Sequence, residues 1–287
     1  MIHAVRRRLV PYLLLGPGTF WLVLFFLVPL YYLGRLSLES GVLGALRFDW
    51  NWGNYGDALS LYNDQFVRSF IYAGAATVLA LLLAYPLAYT IAFKAGRWRN
   101  LLLFAVIAPF FTTYLVRTLA WQTMLSDDSP AVSVLRFVGL VPDSGRALAT
   151  GPAVVAGLTY NFLPFMVLPI YANLERLDPR LIEAAKDLYA SSRQAFLRVT
   201  LPLSAPGIVA GTLLTFIPAS GDYVNAQFLG SAGNQMIGNV IQALYLKQTD
   251  YPSAAALSFV LMAVILAVVL IYIRFAGSEA LMGEEAR

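Results

Sequence analysis

The residues of this chain best placed to do chemistry are polar groups set in or beside long apolar runs. They are Thr112, Thr113 and Arg117; Tyr160 and Asn161; Asp222, Tyr223 and Asn225; and Asn239 with Gln242. Ionisable groups at membrane depth face a cavity or a partner, because a charge in hydrocarbon is costly. Asp222 and Tyr223 offer a carboxylate and an aromatic face, the two surfaces that hold a cation by ion pairing and cation–π contact. The same pair also reads as an ordinary cap at the end of an apolar segment. Arg117 sits badly with a cation path, and an ion pair with Asp127, Asp128 or a neighbouring subunit is its expected use. Catalysis has little to draw on. The sequence has no Cys and one His, His3, and it carries no HExxH zinc motif. Lys94, Lys186 and Lys247 are followed by Ala, Asp and Gln, so no phosphate-binding loop ending in Gly-Lys-Ser/Thr is present.

A second kind of chemistry, docking, is suggested by Glu183 to Pro202, EAAKDLYASSRQAFLRVTLP, a charged and helix-prone stretch between apolar runs. Asp178 can cap free backbone N–H groups, and Pro179 suits the first helical position because it has none to lose. A short helix is expected from about Pro179 to Ala190. Glu183 and Asp187 lie four apart and share a face, while Ala184, Ala185 and Leu188 make a small apolar surface beside them. Such a ridge flanked by charges fits a groove on another protein. Thr200-Leu201-Pro202 restarts a helix and stiffens the joint.

These groups need elements to hold them, and composition says where those elements lie. The chain is 59% hydrophobic, 14% aromatic and 13% charged, too apolar for a soluble globule of 287 residues. A bilayer core of about 30 Å takes roughly 20 apolar residues in a helix. Charge-free stretches place spans at about 9–34, 69–93, 100–120, 147–174, 199–221 and 251–273. The third is short and is expected to carry Arg117 near its end, where a long side chain can snorkel. The first follows Arg6, Arg7 and Arg8 but is too long for a signal-peptide core, so it is expected to be a retained span. Six spans put both termini on one side. An N-in, C-in arrangement places Arg6, Arg7, Arg8, Lys94, Arg97, Arg99, Arg176, Arg180, Lys186, Arg193, Arg198, Arg274 and Arg287 inside, thirteen of the 20 Lys and Arg, as the positive-inside rule requires. The loop 175–202 is then cytoplasmic, and the net charge of +4 reflects topology, with no nucleic acid implied. Pro29, Pro86, Pro109, Pro164, Pro169 and Pro218 fall inside the spans and should bend or open them. Asn51 to Tyr55 reads as an interfacial anchor, and Met236 to Leu246 as a short piece dipping into the outer leaflet. Residues 1–287 read as one all-α membrane domain.

The segment Glu183 to Pro202 resembles the cytoplasmic coupling loop of ATP-binding-cassette importer permeases. Glu183, Ala184, Ala185, Leu201 and Pro202 match its pattern in register, Val199 replaces an Ile, and Tyr189 stands where the family has Gly. Either the helix runs through Tyr189 or a partner groove holds its ring. Further stretches around Ala108 to Arg117, Leu163 to Pro169, Ile217 to Val224 and Met236 to Ile241 resemble, in order, those of permeases of the spermidine/putrescine type. The resemblance implies a type I, MetI-like permease with six transmembrane helices in the bacterial inner membrane, carrying polyamines. Ferric, phosphonate and other organic solutes are the alternatives within transport, and a gradient-driven transporter is the alternative outside this class. The partners implied are a second, similar permease, two ATPase subunits and an extracytoplasmic solute-binding protein. ATP and Mg would be bound by the ATPases, with no cofactor in this chain. Glu183, Ala184, Ala185, Asp187, Leu188, Tyr189, Leu201 and Pro202 would then meet the ATPase. Thr112, Thr113, Tyr160, Asn161, Asp222, Tyr223 and Asn225 would line the substrate path.

Overall fold

The computed structural model describes residues 15–41, 44–139, 141–142 and 144–276. Residues 9–14 of the first expected span, the Arg6 to Arg8 cluster and Arg287 lie outside the described residues. Among the described residues helices dominate, with one two-stranded ribbon. Four helices among the described residues are long and apolar enough to cross a membrane, and two further bent pairs would raise this to six if each is one span.

The described residues up to 63, together with 241–262, form one compact unit. Helix α1 (Leu15–Leu36) widens to a π-turn over Val23–Leu27. The reason is Pro29, whose ring would meet the carbonyl of residue 25 in a regular helix, so the extra residue in the turn makes room. Gly34 lets α1 approach Phe259, since a Cβ there would lie 3.4 Å from that ring. The ribbon pairs β1 (Glu39–Ser40) with β2 (Arg47–Phe48) antiparallel, Glu39 opposite Phe48. Asn54 ties it down by donating to the carbonyls of Ser37 and Glu39, both at 2.9 Å. The expected anchor at Asn51 to Tyr55 is therefore ordered, with Asn51 capping the helix that follows by accepting from the Gly53 N–H at 3.0 Å.

That helix, α2 (Gly53–Phe93), starts well before the expected residue 69 and is kinked at Tyr62. Charged residues such as Asp57, Asp64 and Arg68 end a charge-free stretch without ending a helix, which explains the difference. From residue 64 the chain enters the second unit, made of the described residues in 64–240 and 263–276. Here Ala73, Ala76, Ala80, Ala84 and Ala88 make a fully buried stripe along α2. Small side chains let helix backbones close up where no hydrophobic effect pulls them together. The stripe packs against α6 (Gly151–Glu175), the most enclosed of the four candidate spans, through Met166, Val167, Ile170 and Leu174.

The third expected span, 100–120, is not one helix. It consists of α3 (Arg99–Ile107), a tight turn over Ala108–Phe111 and α4 (Tyr114–Met124), and the whole bends by 95°. Pro109 ends the first piece, and Thr112 (ψ 141°) and Thr113 (ψ 147°) are extended between the two. A short helix α5 (Pro130–Phe137) follows, capped by Ser129. The fifth expected span is likewise bent, by 60°, between α8 (Ser192–Leu203) and α9 (Ala205–Ser220). Pro206 removes the N–H that would continue the ladder, and Ser204 turns its hydroxyl to the Leu201 carbonyl at 2.8 Å. On α9, Gly207 and Gly211 allow contact with α6 at backbone distance: a Cβ on Gly207 would lie 2.8 Å from the Pro169 carbonyl oxygen. The described residues close with α10 (Val224–Leu229), α11 (Ile237–Ala243), a π-turn over Leu244–Gln248 and α12 (Tyr251–Ala276).

Candidate functional site

Two constructions stand out, an exposed elbow and a buried polar network. The elbow begins at α7 (Pro179–Asp187), capped by Asp178, whose carboxylate accepts from the Arg180 N–H at 2.9 Å. It does not run on to Ala190. It stops at Asp187, and Tyr189 takes the left-handed conformation, φ 61°. The Tyr189 N–H reaches the Lys186 carbonyl at 2.9 Å and the Ala190 N–H the Ala185 carbonyl at 3.1 Å. That is a Schellman closure with tyrosine at the position glycine ordinarily takes, at a backbone cost of roughly 1–2 kcal/mol. Ser191 then starts α8 with a capping box: its Oγ accepts from the Gln194 N–H, while its own N–H donates to Gln194 Oε1 at 2.9 Å. The elbow is thus fixed at both its stop and its start.

Its surface is presented outward. Tyr189 is 98% exposed and Leu188 82% exposed, with Glu183, Ala184 and Asp187 exposed beside them and Ala185 half-buried. Neither Glu183 nor Asp187 has an ion pair among the described residues. Leu201 and Pro202 lie one helix further on, Leu201 half-buried and Pro202 exposed. At the foot of the elbow Arg99 pairs with Glu175 at the end of α6 and donates to the Tyr171 hydroxyl.

The polar network lies within the second unit, where α4, α6 and α10 meet. Asp222, 8% exposed, accepts from the Asn225 N–H at 2.8 Å on Oδ1 and from the Tyr114 hydroxyl at 2.5 Å on Oδ2. Asn225 Nδ2 donates to the same tyrosine oxygen at 2.5 Å. Asn161 donates through Nδ2 to Asn225 Oδ1 at 3.1 Å and to Thr118 Oγ1 at 3.3 Å, leaving its own Oδ1 buried without a partner. Gly157 makes this closeness possible, since a Cβ there would sit 2.6 Å from Asn225 Oδ1. A carboxylate so enclosed depends on these donors, because an unpaired buried charge is expensive.

Beside the network lies an aromatic cluster, with Phe110 and Phe165 rings 5.2 Å apart and Tyr114 6.1 Å from Phe162. Arg117 covers it. Its guanidinium carbon is 4.8 Å from the Phe110 centroid and 5.6 Å from that of Tyr114. The residue is 8% exposed, and its Nε and Nη1 are buried without hydrogen-bond partners. Within this chain Arg117 does not snorkel, and among the described residues it pairs with neither Asp127 nor Asp128. The bend at Thr112 turns Arg117 inward, and Asp127 is held instead by Arg136 at 3.5 Å and Arg146 at 3.8 Å.

Of the path residues expected from sequence, Asn161, Asp222 and Asn225 come together. Thr112 and Thr113 form the exposed bend, and Tyr160 packs on Trp121 with centroids 5.6 Å apart. Tyr223 is half-exposed, its carbonyl accepting from Asn239 Nδ2 at 2.8 Å, so Asn239 acts as a staple within the unit. Gln242 belongs to the other unit. Tyr114 and Thr118 are members the sequence reading passed over. Their signal is periodicity: Tyr114, Arg117, Thr118 and Trp121 fall on one face of a helix, visible once the helix is known to start at Tyr114.

The family described as "Binding-protein-dependent transport system inner membrane component" matches residues 5–278. The spermidine/putrescine transport system permease protein PotB of Salmonella typhimurium is 39% identical over 256 residues, covering 88% of this chain and 89% of the relative. PotB of Escherichia coli K12 is 38% identical over the same length, covering 88% and 93%. The inner membrane ABC transporter permease protein YdcU of that organism is 33% identical over 271 residues, covering 86% and 83%. Among solved structures, a bacterial alginate ABC transporter in complex with a pentasaccharide-bound periplasmic protein superposes with a TM-score of 0.70 at 20% identity, covering 98% and 96%. The inward-facing MetNI methionine ABC transporter gives 0.56 at 16% identity, covering 76% and 97%. At such identities these two structures speak for the fold alone.

Proposed function

The chain belongs to the family of binding-protein-dependent transport system inner membrane components, and from that premise we propose that it is the permease subunit of an ATP-driven importer of spermidine or putrescine. The observation that carries the substrate is the breadth of the likeness to permeases named for those solutes, 39% identity across 88% of this chain. The chain is a single permease domain with six spans, N-in and C-in, the two bent pairs each counting as one. It pairs with a second permease, two ATPase subunits and an extracytoplasmic solute-binding protein. ATP and Mg are held by the ATPases, and this chain contributes no catalysis.

In this reading the elbow faces the cytoplasm. Glu183, Ala184, Ala185, Asp187, Leu188 and Tyr189 dock on the ATPase, and Leu201 and Pro202 carry the motion into α9. The free carboxylates of Glu183 and Asp187 and the bare ring of Tyr189 support that role, because a docking surface keeps its groups unspent. Rigid caps on both sides of Tyr189 let a push on α7 become a tilt of the spans. Solute delivered from outside enters between the two permeases, past Thr112, Thr113, Tyr160, Asn161, Asp222, Tyr223 and Asn225. Among these, Asp222 already has hydrogen bonds to both oxygens, so its part is to set the field and hold Tyr114 and Asn225 in place.

The test is reconstitution of the whole assembly in proteoliposomes with its binding protein. Spermidine or putrescine should stimulate ATP hydrolysis and accumulate inside, while a phosphonate, a ferric chelate and an alginate oligosaccharide should not. Stimulation by one of the latter in place of the polyamines refutes the substrate.

A further inference from the structure

Among the described residues, Arg117 is a group that neither the elbow nor the polar network explains. It is a nearly buried cation with two donor nitrogens, Nε and Nη1, that have no acceptor among the described residues, and it has no ion pair there either. Its favourable contacts are with the faces of Phe110 and Tyr114. Those are contacts that any organic cation of similar size can make, since the attraction is between a positive charge and the negative face of a ring. Phe110 and Phe165 are each 37% exposed, so this chain does not cover the aromatic cluster completely. The carboxylate of Asp222 lies across Tyr114, joined to its hydroxyl at 2.5 Å, and adds a negative field to the same place.

We infer that Arg117 is a resident cation. It occupies the aromatic face that an incoming amine takes during transport, so the solute must displace it, and its own charge keeps that place closed to stray cations in between. This rests on the polyamine reading above and adds to it a specificity-determining residue. The unpaired donors explain why the arrangement can switch. An arginine held by carboxylates would be locked, whereas one held by ring faces, with donors unsatisfied, has an incentive to leave when another cation arrives. Its long side chain provides the reach.

The experiment is direct binding of labelled spermidine to the purified permease–ATPase assembly without binding protein, by equilibrium dialysis, alongside uptake by the complete system. Arg117→Met keeps the bulk of the side chain and removes the competitor. It should bind spermidine about tenfold tighter than wild type, one decade being the worth of one cation–π contact of about 1.4 kcal/mol. Arg117→Lys keeps the charge but loses the planar stack, and should bind more tightly than wild type by about threefold. Putrescine should gain as well, and a neutral diol of the same length should gain nothing. If the Met variant does not fold into the membrane, the Lys variant decides alone. Binding unchanged or weakened in an assembled variant overturns the inference while leaving the polyamine reading intact. So does selective loss of the second permease from the Met variant, which would make Arg117 an intersubunit ion-pair partner. Failure of the wild-type assembly to take up spermidine sinks both.

Discussion

Gly207 offers a clean measurement of how tightly α6 and α9 are packed. A Cβ added there would lie 2.8 Å from the Asn173 Cβ, 2.8 Å from the Pro169 carbonyl oxygen and 3.0 Å from the Ile170 Cα, where ordinary contact begins near 3.4 Å. Two of those atoms are backbone, so no side chain can swing away, and the helices must part by about 0.6 Å. Gly74, on α2, makes the control because a Cβ there has nothing within 4 Å. Alanine at either site gains the same helix propensity, about 1 kcal/mol over glycine. That gain cancels between the two variants and leaves the overpacking cost, roughly 1–3 kcal/mol for an extra group forced into a close-packed seam. Gly207→Ala should therefore be less stable than Gly74→Ala by about 1–3 kcal/mol in reversible unfolding from mixed micelles, and should transport more slowly where α9 moves on α6. If the two variants unfold together, or Gly207→Ala is the more stable, the seam yields freely and the account of small residues as spacers is wrong.

Four more outcomes follow from the same geometry. Tyr189→Ala keeps the left-handed strain and loses the ring, and should weaken ATPase co-purification by a hot-spot amount of about 2 kcal/mol, while Tyr189→Gly also sheds a strain of roughly 1–2 kcal/mol and should be less impaired; undisturbed co-purification of both leaves the ring without a partner. Glu183→Ala and Asp187→Ala should fold normally, exposed charges being worth under about 1 kcal/mol, yet lower uptake, and wild-type uptake in both refutes the docking face. Asp222→Asn should lower stability by about 1–3 kcal/mol through the hydrogen bonds of Tyr114 and Asn225; uptake lost more for doubly than singly charged solutes would give the carboxylate a part in recognition, and equal loss would confine it to capping. Single cysteines at Ser192, which spares the cap at Ser191, and at Ser60 should label from opposite faces of the membrane, and labelling of both from outside would overturn the six-span arrangement.

Much of the chain was legible because its information is local. A charge-free stretch marks a span whatever its neighbours do, and the starts and stops near Gly151, Glu175 and Tyr251 fall close to where the apolar runs predict. The start of α7 was equally plain, since its cap at Asp178 lies two positions from the N–H it satisfies, but its stop at Asp187, short of the expected Ala190, was not. Where charge was used to end a helix the reading went astray: α2 begins at Gly53 because exposed Asp and Arg cost a helix little.

What only the tertiary structure decided depends on directions in space. Pro109 announced a break in the third span, but the 95° bend, and hence the turning of Arg117 from an interface onto Phe110 and Tyr114, follows from how α4 packs on α6 and α10. Asp222 looked equally like a cap and a binding group until the partners of its two oxygens, one of them 108 residues away in sequence, were placed beside it. The conformation at Tyr189 is of the same kind. Sequence names a residue that disfavours a left-handed turn, and only the closed hydrogen bonds on either side determine that the turn is made regardless. Periodicity fixes which elements form. Long-range contacts fix which way their polar side chains face, because burying an apolar face determines a helix's rotation only when its neighbours are present.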